Sequence, residues 1–128
     1  MTKAICSALL VLLTVATLIL GACGSPSGPE LTVRAYFDAV NARDQAKFVG
    51  LWSADHQDAA AARYEFYTTF ERKFPTVKKI TIADFGTSGD MKDATAEVVE
   101  ESPMGTHEKT LKLGLTRQGE QWLVFSAP

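Results

Sequence analysis

The chain has 128 residues, 46% of them hydrophobic and 22% charged, a balance ordinary for one globular domain and too apolar for a disordered chain. Its formal net charge is −2, and Lys78, Lys79, Lys92 and Arg117 are scattered among the acids, so the basic stripe of a nucleic-acid binder is absent. Two widely separated cysteines and two histidines make no zinc-ligand spacing, and there is no glycine-rich phosphate loop or fixed-period repeat, so no metal and no other cofactor is expected.

The N-terminus opens with a short positive start ending at Lys3, followed by an apolar or small-residue run over 4–20 and then Gly21-Ala22-Cys23. Such a run reads as a secretory signal peptide. It is also long enough to stay uncleaved as a membrane helix, for which about 20 apolar residues suffice. Leu20-Gly21-Ala22-Cys23 resembles the lipobox of bacterial lipoproteins, in which an aliphatic residue and two small residues precede an obligatory cysteine. The resemblance implies a lipoprotein signal peptide over 1–22, removed before Cys23, whose thiol is the nucleophile that takes a diacylglyceryl group. Cys6 leaves with the peptide, so the mature chain has no pair of thiols for a disulfide. Two or more acyl chains, at about 0.8 kcal/mol per buried methylene, anchor a protein where one is marginal. The membrane is thus an expected partner. Residues 23–29 form the lipidated cysteine and a Gly, Ser and Pro tether without charge. Because Gly24 and not Asp follows the cysteine, the lipoprotein sorting rule implies the outer membrane where the source has one. In a source with a single membrane the rule implies the outer face of that cell membrane.

The domain is expected over 30–128. Ser27-Gly28-Pro29-Glu30 reads as a capping box with proline in the first turn, and Val33, Tyr36, Phe37 and Val40 follow helical spacing. Asp44 is placed to cap a short second helix carrying Phe48, Leu51 and Trp52, and Ser53 to Asp58 supplies further cap residues. A third helix is predicted from about Asp58 to Phe74, with Ala59, Ala62, Phe66, Phe70 and Phe74 along its apolar side and Pro75 as its stop. The period then changes to two. Strands are predicted over 76–85, from Ala94 through "ATAEVVEE", over the Leu111-Leu113-Leu115 alternation and over "QWLVFS", with turns at "GTSGD", Ser102–Gly105 and Gln118-Gly119. Helices followed by a meander of strands is an α+β order, with the helices packed on one face of an antiparallel sheet.

"AYFDAVNARDQAKFVGLWSAD" and "TLKLGLTRQGEQWLVFS" resemble the opening and closing segments of small nuclear transport factor two-like proteins, which share a cystatin-like fold. The resemblance implies a curved sheet of about four strands wrapped by helices into a cone. The cone here should be shallow, because there is little room for a strand between the second and third helices.

Enzymes of that superfamily, ketosteroid isomerase-like and polyketide cyclase-like, use a carboxylate in the cone with Tyr or Asp as the acid. The candidates here are Asp84 with Tyr36, Tyr64 and Tyr67, but no spacing brings them together, and Asp84 just before Gly86 reads as a strand-end turn residue. His56 and His107 sit in polar surroundings and read as solvated; Asp55 and Asp58 read as helix caps, not metal ligands. "EVVEE" and Glu108 read as a solvated acidic sheet face. Tyr36, Tyr67 and Trp122 are the ring-bearing residues expected at the cone mouth, where a phenol or indole offers apolar surface and one polar handle. With no catalytic residue assigned, the expectation is a non-enzymatic, lipid-anchored module that binds an envelope protein or a small apolar ligand. The alternative is an isomerase- or cyclase-like enzyme.

Overall fold

A computed structural model describes residues 28–128. The signal peptide, Cys23 and the tether up to Ser27 lie outside the described residues. Among those described, no helix is long and apolar enough to cross a membrane.

Helix α1 spans Gly28–Ala42 and buries Val33, Tyr36, Phe37 and Val40, the helical stripe that the spacing predicts. It takes in Gly28 and Pro29, which the sequence assigned to the tether. Arg43 ends it in the left-handed region at φ 56°; its N–H donates to Val40 O and the Asp44 N–H donates to Ala39 O. This is a Schellman closure on a residue other than glycine. The Arg43 guanidinium holds it by donating to Val40 O and Arg72 O at 3.0 and 2.9 Å. Asp44 then caps α2, Gln45–Gly50, by accepting from Lys47 N.

Where longer cones would carry an extra strand, this chain makes one bridge. Trp52 pairs with Val124 in parallel, the Ser53 N–H donates to Val124 O, and the Val124 N–H donates to Leu51 O. A 3-10 turn, Ala54–His56, leads into α3, Gln57–Thr69.

Helix α3 corrects the sequence reading twice. It stops at Thr69, because Glu71 adopts φ 50° and the Arg72 N–H closes back onto Tyr67 O, the same closure as at Arg43. Phe74 and Pro75 belong to β1, Lys73–Asp84, an edge strand in which a proline's missing N–H costs no ladder bond. Its buried side is also rotated from the predicted one. Ala60 and Tyr67 are buried, whereas Ala59 and Ala62 are exposed and Phe66 and Phe70 remain 39% and 51% exposed. Those two rings meet edge to face at 5.4 Å and are covered by the Arg72 guanidinium.

β2 (Met91–Ser102), β3 (Gly105–Gln118) and β4 (Gln121–Ser126) complete an antiparallel sheet of order β1-β2-β3-β4. Ala94, Ala96 and Val98 lie opposite Leu113, Leu111 and Lys109, and this concave face packs on the helices. The convex face carries Thr81, Thr95 and Lys112 in one row and Lys79, Glu97 and Thr110 in the next, as a solvated face requires. Two register shifts in β1 supply the bend that closes the sheet around α1. Asn41 extends that closure by donating to Phe74 O and accepting from Phe74 N, so its side-chain amide pairs with the strand edge.

Candidate functional site

The interior of the cone is filled with aromatic rings. Tyr36 sits at its centre, 4.8 Å from Phe48, 6.3 Å from Trp52 and 6.2 Å from Tyr67 between ring centroids, and all four rings are buried. Edge-to-face and tilted contacts of this kind add about 0.5–1.5 kcal/mol per pair beyond area burial. The Trp52 indole N–H has no acceptor among the described residues. The polar ends of the two tyrosines meet: Tyr36 Oη donates to Tyr67 Oη at 3.1 Å, and Tyr67 Oη donates outward to Pro128 O at 3.4 Å.

Burial raises the pKa of the Tyr36 phenol far above the ordinary value, and the Tyr67 phenol shifts upward for the same reason. Both are therefore hydrogen-bond donors at physiological pH. In the unfolded chain each releases its proton near pH 10. Above that pH the unfolded state binds fewer protons than the folded one, so stability is complete below pH 10 and falls as pH rises past it. For Tyr36 the loss runs at about 1.4 kcal/mol per pH unit. Alkaline denaturation followed by circular dichroism should show it, and Tyr36→Phe should make the decline with pH shallower.

Above Tyr67 the cone opens into a pocket of about 260 Å³, with Arg63, Arg72, Lys109 and Glu100 at its rim and Phe74 and Leu111 in its wall. That is just under the roughly 300–1,000 Å³ of pockets for drug-sized ligands. Glu100 is 3% exposed. One of its oxygens lies 3.5 Å from Arg72 Nε and the other 2.8 Å from Lys109 Nζ. A carboxylate that has left water needs such partners.

Glu100 corrects the reading of "EVVEE". Glu97 and Glu101 are exposed on the convex face, but Glu100 shares the parity of Ala94, Ala96 and Val98 and turns inward. The alternation alone could have shown this.

The structure brings Tyr36 and Tyr67 together but leaves Trp122 elsewhere. Trp122 stands beside Gly28, its carbonyl accepts from Thr32 Oγ1, and it lines a separate depression with Leu31 and Leu51. Tyr36 is fully buried beneath Tyr67, so of the three only Tyr67 lines the mouth. Asp84 is exposed at the end of β1 and pairs with Lys92. His56 Nδ1 lies 2.8 Å from Ser53 Oγ in the turn before α3. Asp55, Asp58 and His107 are exposed. None of these meets the pocket.

No established family pattern and no curated protein matches the sequence. Solved structures do. An uncharacterized protein with a cystatin-like fold from Caulobacter vibrioides superposes with a TM-score of 0.62 at 15% identity, over 76% of this chain and 82% of that one. A nuclear transport factor two-like protein of unknown function from Pseudomonas putida KT2440 gives 0.60 at 17% identity, over 77% and 80%. Another of unknown function, from Shewanella oneidensis MR-1, gives 0.54 at 13%, over 76% and 91%. With helices first, a curved four-stranded antiparallel sheet after them and these structural neighbours, the chain has the cystatin-like, nuclear transport factor two-like α+β fold.

Proposed function

We propose that the chain is a lipid-anchored, non-enzymatic envelope module that binds a small, partly apolar ligand at the mouth of its cone. The observation that carries this reading is the division of the concave side. Its depth is occupied by the packed rings of Tyr36, Phe48, Trp52 and Tyr67, and a pocket of about 260 Å³ remains open beside Tyr67. Substrate chemistry in a cone needs an acid or base that reaches a reacting atom. Here the Glu100 carboxylate at the mouth is engaged by Arg72 and Lys109. Anchoring rests on the lipobox at Leu20–Cys23 and places the domain on a membrane surface facing the periplasm or exterior.

A second reading, an isomerase- or cyclase-like enzyme, has one observation in its favour: Glu100 does face the interior. It requires that carboxylate to leave its cation partners during turnover.

Mass spectrometry of the chain extracted from the membranes of its own cells tests both parts of the proposal. Under denaturing conditions the mass should equal that of residues 23–128 plus acyl groups; an unacylated chain retaining residues 1–22 would refute anchoring at Cys23. Under native conditions a small molecule should add to that mass. Extracted protein that carries no ligand and converts an added carbonyl substrate would favour the enzyme.

A further inference from the structure

We infer that the end of the domain at which α1 begins rests on the lipid surface, with Leu31 and Trp122 seated in the bilayer interface. This rests on the anchoring at Cys23 proposed above and adds to it the orientation of the domain on its membrane.

The anchor limits how far that end can stand from the lipid. Four residues, 24–27, separate Cys23 from Gly28, and a fully extended chain advances at most about 3.6 Å per residue, so Gly28 lies within roughly 18 Å of the acylated cysteine. The start of α1 is therefore the membrane-proximal end.

The surface at that end is apolar. Leu31 is 53% exposed and shares a depression with Ala35, Leu51, Trp122 and Leu123, in which Glu120 is the one charged residue among the described lining residues. Trp122 is half-buried and lies so close to the first residue of α1 that a Cβ on Gly28 would come within 2.9 Å of its Cδ1. Glycine thus lets the indole sit beside the point where the tether enters. Thr32 Oγ1 donates to Trp122 O at 2.8 Å, which ties β4 to the first turns of α1 and makes the surface part of the rigid domain. An indole combines an apolar ring with one N–H, the chemistry favoured at the boundary between headgroups and hydrocarbon. The contact can be weak and still be occupied, because a short linker holds the surface at a millimolar effective concentration.

Phe70 and Met104 are also exposed and line another apolar depression with Arg72. That depression lies at the far end of α1, where Arg43 donates to Arg72 O. A helix of 15 residues at about 1.5 Å per residue separates the two ends by about 22 Å. A domain seated at Gly28 therefore holds Met104 clear of the lipid.

The test uses the acylated chain, extracted from the membranes of its own cells and reconstituted into phosphatidylcholine vesicles with or without bromine on the acyl chains. Bromine quenches an indole near contact. The chain has two tryptophans and Trp52 is buried, so Trp122 reports contact with lipid. Brominated vesicles should lower the emission of the wild type, and Trp122→Phe should remove most of that loss. Leu31→Asp, a change at an exposed position, should also remove most of it by placing a charge on the seated surface. In the Trp122→Phe background, Met104→Trp should stay unquenched. A chain that floats with the vesicles but loses no emission to bromine would overturn the seat and leave the anchoring standing. Quenching that survives Trp122→Phe or Leu31→Asp, or that appears with Met104→Trp, would overturn the orientation. Trp122 emission shielded from both lipid bromine and aqueous acrylamide would mean that protein covers this surface, and would overturn the lipid contact. A chain that does not float with the vesicles would overturn the anchoring itself and the orientation with it.

Discussion

Tyr36→Ala should lower stability by about 3–5 kcal/mol, the range for deleting a large buried aromatic side chain. For a domain of this size that corresponds to a fall of roughly 15–30 °C in melting temperature. The ring is fully buried and touches Phe37, Phe48, Trp52 and Tyr67, which come from three helices and the turn between two of them. Helices already fixed to the sheet cannot collapse into the space, so the cavity term adds to the lost burial. The phenol of Tyr67 also loses the hydrogen bond it accepts. Thermal unfolding followed by far-ultraviolet circular dichroism measures the change. A loss under about 1 kcal/mol would mean the cone interior is loosely packed and open to ligand.

The order of elements was legible because it rests on local physics. The i, i+3, i+4, i+7 stripe of α1, the Asp44 cap and the strict alternation of Leu111, Leu113 and Leu115 each depend on residues a few positions apart. The end of α3 was not legible. Helices of this type usually close on glycine, and here Arg43 and Glu71 hold the left-handed position instead; at Arg43 the hydrogen bonds of its guanidinium to two carbonyls support it. Phe66 and Phe70 misled for a related reason. Large rings at helical spacing read as core, but these are shielded by arginines on the surface.

Tyr36, Tyr67 and Trp122 were all expected at the mouth from ring chemistry; Tyr67 lines the pocket, whereas Tyr36 is fully buried. Trp122 has the same chemistry but stands at the opposite end of α1, beside Gly28, and spacing along the chain carries no such information. For Glu100, parity said inside and charge said outside. Charge prevailed in the sequence reading because its partners, Arg72 after α3 and Lys109 on β3, meet it only through the tertiary fold. Once they do, the desolvation that would expel a lone carboxylate is offset.

That offset is the central claim: Glu100 is one member of an ion triad with Arg72 and Lys109. The measurement that tests it most directly compares the melting temperatures of three chains: the wild type, the Arg72→Leu/Lys109→Leu variant, and the same variant with Glu100→Leu added. Removing both cations leaves a carboxylate that is 3% exposed without compensation, which should cost about 3–5 kcal/mol. Replacing Glu100 as well removes the buried charge and should restore most of that loss, because apolar side chains of similar volume often substitute for a buried ionic cluster at little cost. The account predicts a deep fall in the double variant and recovery in the triple. A double variant that melts like the wild type would show that Glu100 does not depend on its partners, and would contradict the account in favour of a carboxylate available for catalysis.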